Sequence, residues 1–155
     1  MLITQYVDVL RSQTDTVFWF AAPEVSVGTN SFDRPVFLRL SAFSSSSDVV
    51  ITQPANPSFA PITAWVPAYN TVNIDLTPFI DDLENQPANT ILDRGLYIRA
   101  SKPVTAYYEV ASTICNCNPD IFTLKGSNAL GNNFVIPMQR SFGNSTTVSP
   151  AAKSS

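Results

Sequence analysis

A strict alternation of apolar and other residues between Leu96 and Val110 constrains the fold of this chain more than any other feature. Apolar residues occupy every second position over 96–100 and again over 104–110, on either side of the sequence Ser-Lys-Pro at 101–103. A period of two residues is typical of a strand with one buried face. The alternation therefore predicts two antiparallel strands joined into a hairpin by a turn at 101–103.

Shorter segments of the same kind recur along the chain. Apolar positions alternate over Val36–Ala42 and Thr71–Leu76, whereas Thr16–Ala22 is apolar almost throughout, as in a strand buried on both faces. Asp48–Thr52 favours a short strand, and the prolines that follow restrict Ile62–Val66 to the edge of a sheet. About eight to ten such strands at short intervals predict an all-β fold, an antiparallel β-sandwich.

We expect the apolar phase of each strand to face one core. At most one short helix is predicted, over 77–84, with Thr77 as its N-cap and Pro78 at the first helical position. The predicted core residues are Phe18, Phe20, Leu38, Leu40, Ile74, Leu76, Leu96, Ile98, Val104, Ala106 and Tyr108.

Charge and hydropathy exclude several classes of partner. Charged residues make up only 14% of the chain, and the net charge of −3 comes without any cluster of Lys or Arg, so we expect no nucleic-acid partner. No apolar run reaches the length of about 18 to 20 residues that a membrane helix needs, so no transmembrane segment is expected. Segment 1–11 lacks the features of a signal peptide, and we expect that a leader has been removed.

The ionisable residues do not form a recognisable catalytic motif. The chain has no histidine, which removes the commonest general base and every triad that uses one. Glu109, on the outward phase of its strand, is the best acid or base candidate, but a solvated strand face explains it equally well. We therefore expect no enzyme activity, no catalytic residues, no bound metal and no cofactor, and leave open whether Asp81, Asp82 and Glu84 bind calcium.

Two cysteines stand two positions apart, at Cys115 and Cys117. A disulfide across this spacing closes a very small ring with strained geometry. A metal site would need further ligands, and the chain has neither histidine nor a third cysteine. A pair of free thiols, a strained disulfide and pairing with a cysteine outside this chain all stay open.

Aromatic side chains are the strongest candidates for binding. Six aromatic residues fall on outward phases or in loops, where exposed rings can stack on sugars or anchor a protein interface. Two of the six are Phe37 and Phe43. The alternative is that a second layer or a neighbouring domain covers them. The candidate binding residues are Trp65, Tyr69, Tyr97 and Tyr107.

Three sequence features resemble the N-terminal domain family of the IgG-Fc-binding proteins. They are the aromatic pair Phe18-Trp19 near the start, the Pro-Val-Thr-Ala-Tyr sequence at 103–107 within the predicted hairpin, and the Ala-Leu-Gly sequence at 129–131. They occur in the family's order across about residues 15–137. The chain departs from the family in its Cys-x-Cys loop and in lacking a final strand.

The resemblance implies an extracellular or cell-surface module, secreted as the start of a long adhesive protein, as in mucin-like secretions and in Bacteroidota adhesion and gliding-motility proteins exported by type IX secretion. Its partner would be a protein or glycan on a surface, beside neighbouring domains of the same chain. Alternatives are a structural subunit of a capsid, tail or pilus-like assembly, and a carbohydrate-binding or glycan-active domain. The expected organisation is an extension at 1–14, a sandwich at 15–142 and a linker or truncated strand at 143–155.

Overall fold

The computed structural model describes residues 13–23, 34–87, 90–112 and 120–130, and these ranges form an antiparallel β fold. Every ladder between the strands is antiparallel, which confirms the predicted all-β class. A 3₁₀ turn, Thr77–Phe79, continues into the α-helix α1 (Ile80–Leu83), and another 3₁₀ helix spans Gly126–Ala129. The strands are β1 (Thr14–Phe20), β2 (Val36–Ala42), β3 (Ser47–Thr52), β4 (Ile62–Val66), β5 (Thr71–Asp75), β6 (Leu96–Val110) and β7 (Asp120–Thr123).

The predicted hairpin at 101–103 is wrong, because residues 96–110 form the single long strand β6. The first part of β6 pairs with β1 and β3, and the second part pairs with β2, with β7 and, at Val104 and Thr105, with the start of β1. With partners on both sides over both parts, the two parts have no need to pair with each other. Even-numbered positions are buried along the whole strand except at Lys102, so the alternation keeps its phase through the interruption.

The long strand β6 divides the sheet into two halves. The front half consists of β1, residues 96–100 of β6, β3 and β4; the rear half consists of β7, residues 104–110 of β6, β2 and β5. The edge strands β4 and β5 follow each other in the chain and contact each other, so the sheet curls toward closure. Both halves therefore face one core, and their outer faces point away from it in different directions.

A buried hydroxyl holds β6 where it bends between the halves. Ser47 is only 1% exposed, and its Oγ lies 3.0 Å from both the carbonyl oxygen and the amide nitrogen of Lys102. The hydroxyl donates to the carbonyl and accepts from the amide, which satisfies two backbone groups that the interrupted ladder leaves unpaired. The Asp48 amide also donates to Ser101 Oγ, at 2.9 Å.

The core contains the predicted residues. All of them are buried except Phe20 and Ile74, which are partly buried and pack against the cluster. The prediction that Thr16–Ala22 is buried on both faces is wrong, since Trp19 is 61% exposed. Only the even phase of β1 faces the core, because β1 belongs to a sheet with solvent on its outer side.

The short helical segment lies where it was predicted, but Thr77 is not its N-cap. Leu76 precedes the 3₁₀ turn and Pro78 lies in its first positions, as expected. Thr77 Oγ1 instead accepts a hydrogen bond from the Val36 amide, at 3.1 Å. The hydroxyl is thus used to join the turn to β2 rather than to cap the turn.

Several predictions lie outside the described residues. They concern Cys115 and Cys117, segment 1–11 and the domain boundary at 142. Within the described ranges, no helix is both long and apolar enough to cross a membrane.

Candidate functional site

The outer face of the rear half carries Phe37, Tyr107 and the 55% exposed Ile121, but its polar side chains bond to one another across the strands. Arg39 forms an ion pair with Glu109 and donates from Nη1 to Asn73 Oδ1 at 3.0 Å. Its guanidinium also lies 6.0 Å from the ring centroid of Phe37. One row away, the hydroxyls of Ser41 and Thr71 are 2.7 Å apart. Cross-strand pairs of this kind stabilise a sheet and leave few groups to recruit a partner.

The outer face of the front half is aromatic and carries few such bonds. In the strand register, Trp19 lies opposite Tyr97, Val17 opposite Arg99, and Arg99 opposite Val50. Trp65, on β4, is 60% exposed. In the strand register, Trp65 lies three strands away from Trp19 and four residues along β4 from the position level with Trp19. The two indoles are therefore about 20 Å apart. We call this set the aromatic face: Val17, Trp19, Val50, Trp65, Tyr97 and Arg99.

Trp19 is held in place although it is largely exposed. Its ring centroid lies 4.5 Å from that of Tyr97, with the planes tilted by 37°. Contact between aromatic rings at this distance stabilises their arrangement. Arg99, one row further on the same face, is exposed and has no ion-pair or hydrogen-bond partner among the described residues. Trp, Tyr and Arg are the residue types that most often dominate binding energies at interfaces.

The four candidate binding residues do not form one site. Trp65 and Tyr97 share the aromatic face, whereas Tyr107 lies on the outer face of the rear half, opposite Arg39 and Thr123. Tyr69 is 82% exposed in the turn between β4 and β5, where its φ is +55°. Tyr97 and Tyr107 occupy the same phase of one strand, but they stand ten residues apart, about 33 Å along it.

Trp19 is the residue that the sequence analysis missed. An uninterrupted apolar run has no phase of its own, so it gave no sign of which positions face out. Asp15 at the start of the strand could not supply it, because the strand register shifts between Asp15 and Val17: Asp15 lies opposite the buried Val104, and Val17 lies opposite the exposed Arg99.

A groove of about 330 Å³ lies beside Trp19. One part of its lining is apolar and comes from Val17, Trp19 and Leu130; the other part is polar and comes from Asp15, Lys125 and Ser127. Lys125 is exposed and has no partner among the described residues. The groove thus combines an aromatic surface with a free ammonium group and a hydroxyl.

The carboxylate of Asp15 fixes the wall of this groove. Its Oδ2 accepts hydrogen bonds from Ser127 N at 2.7 Å and Ser127 Oγ at 2.5 Å, and its Oδ1 accepts from Thr16 N at 2.6 Å and Val17 N at 3.3 Å. Burial raises the pKa of Asp15, but these hydrogen bonds lower it further than burial raises it, so the pKa lies below its ordinary value. A carboxylate with four donors has no lone pair left for a ligand.

The adjoining Gly126 is required by this arrangement. Its φ is +55°, and a Cβ at this position would lie 2.5 Å from the Cβ of Asp15. Any other residue would meet both a strained backbone and a steric clash. The close approach of 126–127 to Asp15 therefore depends on glycine.

The carboxylates of the described residues do not assemble into a catalytic or metal-binding group. Glu109 is engaged by Arg39. Asp81 and Asp82 are exposed while Glu84 is only 3% exposed, and the described ranges contain no cluster of three or more side chains suited to a metal ion. The calcium hypothesis for 81–84 thus gains no support from their placement.

The chain matches no protein-family model, no curated protein and no solved structure.

Proposed function

We propose that this domain is an extracellular binding module of a larger cell-surface protein, which adheres through the aromatic face and has no catalysis of its own. The observation that carries the proposal is the pair of large exposed indoles, Trp19 and Trp65, on one sheet face. Each indole leaves a large apolar area in water, and two of them on one sheet face favour a contact role.

The composition of the aromatic face supports the same proposal. It carries two Trp, one Tyr and an Arg that has no partner among the described residues, whereas the equivalent Arg on the rear half is engaged by its neighbours. An interface with these residues can obtain most of its affinity from a few buried anchors. The resemblance described under Sequence analysis favours a surface location, and it is compatible with either a protein or a glycan as the partner.

The test is adhesion of beads that carry the full chain to a mucin layer, which presents both protein and glycan. Trp19→Ala, Tyr97→Ala and Trp65→Ala should each reduce the fraction of beads that resist a fixed shear flow. Phe43→Ala is the matched control, because Phe43 is 49% exposed but lies outside the aromatic face. The same measurement on Tyr107→Ala tests whether the rear half also contributes to adhesion.

Two results would contradict the proposal. One is adhesion that survives the combined Trp19→Ala, Tyr97→Ala and Trp65→Ala changes. The other is a chain that does not adhere but self-associates through the aromatic face in sedimentation velocity, which would favour a structural subunit of an assembly. Circular dichroism and melting of each variant would show that loss of adhesion is not loss of the fold.

A further inference from the structure

We propose that the groove beside Trp19 binds a hexose unit of a neutral glycan, with the sugar ring against the indole and its hydroxyls hydrogen-bonded to Lys125 and Ser127. This inference rests on the proposed function and names the chemistry of its partner. It depends on the lining, the charge and the rigidity of the groove, which are separate observations.

The lining matches the two kinds of surface on a pyranose. Such a ring has a face of C–H groups and a rim of hydroxyls. The groove offers Val17, Trp19 and Leu130 for the first, and the ammonium of Lys125 and the hydroxyl of Ser127 for the second. Its volume of about 330 Å³ is at the low end for ligand sites, which suits a small ring.

The available hydrogen-bonding groups also favour hydroxyls. Ser127 Oγ gives its proton to Asp15, so its remaining lone pairs can accept from a sugar O–H. Lys125 can donate three hydrogen bonds to sugar oxygens. Asp15 itself is saturated by four donors and acts as a positioning residue for 126–127.

The formal charges in the groove favour a neutral ligand. The negative charge of Asp15 and the positive charge of Lys125 cancel, and the groove has no other ionisable lining residue among those described. The groove therefore offers no net electrostatic attraction to an anionic or a cationic ligand. A neutral hexose, which binds through hydrogen bonds and ring contact, does not need one.

The walls of the groove are held before any ligand arrives. Tyr97 holds the indole of Trp19, and the bonds from Ser127 to Asp15 hold the opposite wall. A preformed wall loses little conformational entropy on binding, which favours the weak but specific contacts that a single sugar can make.

The chain has only two tryptophans, which permits a direct measurement. In Trp65→Phe the emission reports Trp19 alone, and in Trp19→Phe it reports Trp65 alone. The full chain carrying each change would be titrated with cellohexaose, maltohexaose, laminarihexaose and chitohexaose. We expect at least one of them to change the emission of Trp19 saturably, and Lys125→Met in the Trp65→Phe background to weaken that binding about tenfold, as for the loss of one charge-assisted hydrogen bond.

Three results would overturn the inference. They are no saturable change of Trp19 emission with any of the four sugars, a change seen only at Trp65, and binding that Lys125→Met and Ser127→Ala both leave unaltered. A chain that adheres to mucin stripped of its glycans, and whose Trp19 emission is unchanged by all four sugars, would indicate a protein partner. This result would support the binding module and contradict the hexose site.

Discussion

Arg39 and Arg99 both project from the outer face of the sheet, but only Arg39 is engaged. On the rear half, Arg39 pairs with Glu109 and donates to Asn73, whereas on the front half Arg99 has neither kind of partner among the described residues and lies beside Trp19 and Tyr97. The rear face therefore satisfies its own polar groups. The front face leaves aromatic area exposed and, among the described residues, a cation without a partner, as the proposed contact role would require.

The two halves should unfold as one unit, because β6 runs through both. Ile98→Ala in the front half and Leu40→Ala in the rear half should each cost about 2 to 5 kcal/mol, because both side chains are fully buried in the shared core. Urea denaturation followed by circular dichroism and by tryptophan emission should give one coincident transition for each variant. Separate transitions, or an unchanged midpoint for either variant, would show that the halves are independent.

The next largest effect on stability should come from the hydrogen bonds between Ser47 and Lys102, where the two halves meet. Ser47→Ala removes the buried hydroxyl that both donates to and accepts from the backbone of Lys102, and leaves two part-buried backbone groups without their partner. We expect a loss of about 1 to 3 kcal/mol in the free energy of unfolding. Ser44→Ala, at an exposed position of the preceding loop, is the control and should stay within about 0.5 kcal/mol. Equal melting temperatures for the two variants would mean that the bend does not depend on Ser47.

The sequence predicted which side of most strands faces the core, but not how the strands pair. The alternation in β2 and β6 reports burial directly, so the core residues on them were correct. The same alternation cannot distinguish a turn from a bend, because both interrupt it with exposed residues. The even positions are buried on both sides of 101–103 although Lys102 itself is exposed, and the partners that make β6 continuous, β2 and β3, lie more than forty residues earlier in the chain.

Only part of the candidate site could be predicted, because alternation reports which residues face outward but not how the strands pair. Trp65 and Tyr97 were assigned outward by their phase, and the structure places both on the aromatic face. Tyr107 shares the phase of Tyr97 yet lies on the other half, since a local pattern does not report the direction of a sheet after a bend. The groove depends on contact between Asp15 and Ser127, which are 112 positions apart.

A smaller effect would sharpen the contrast between the two arginines. Arg39→Ala should destabilise the fold by about 0.5 to 1 kcal/mol, because Glu109 and Asn73 lose their partner, and the loss should shrink in 1 M salt. Arg99→Ala should change stability by less than about 0.5 kcal/mol and instead weaken adhesion to mucin. Calorimetric melting at low and high salt measures the destabilisation by Arg39→Ala and its decrease with salt. The contrast fails if Arg99→Ala is the more destabilising change.

The smallest effect concerns the acid stability of the front edge, where Asp15 anchors residues 126–127. Because hydrogen bonds hold the pKa of its carboxyl below the ordinary value of 3.8, the folded state favours the charged form. The resulting stability is fully present above the pKa of the unfolded chain and is lost as the pH falls through the lower pKa of the folded chain. Asp15→Asn should therefore melt below the unaltered chain by a constant margin between pH 5 and pH 7, and the margin should narrow once the pH falls below about 4. Ser127→Ala removes one of the four donors, so its margin should be smaller and should narrow over the same range. A margin that is independent of pH would mean that Asp15 anchors the groove by shape alone, without its charge.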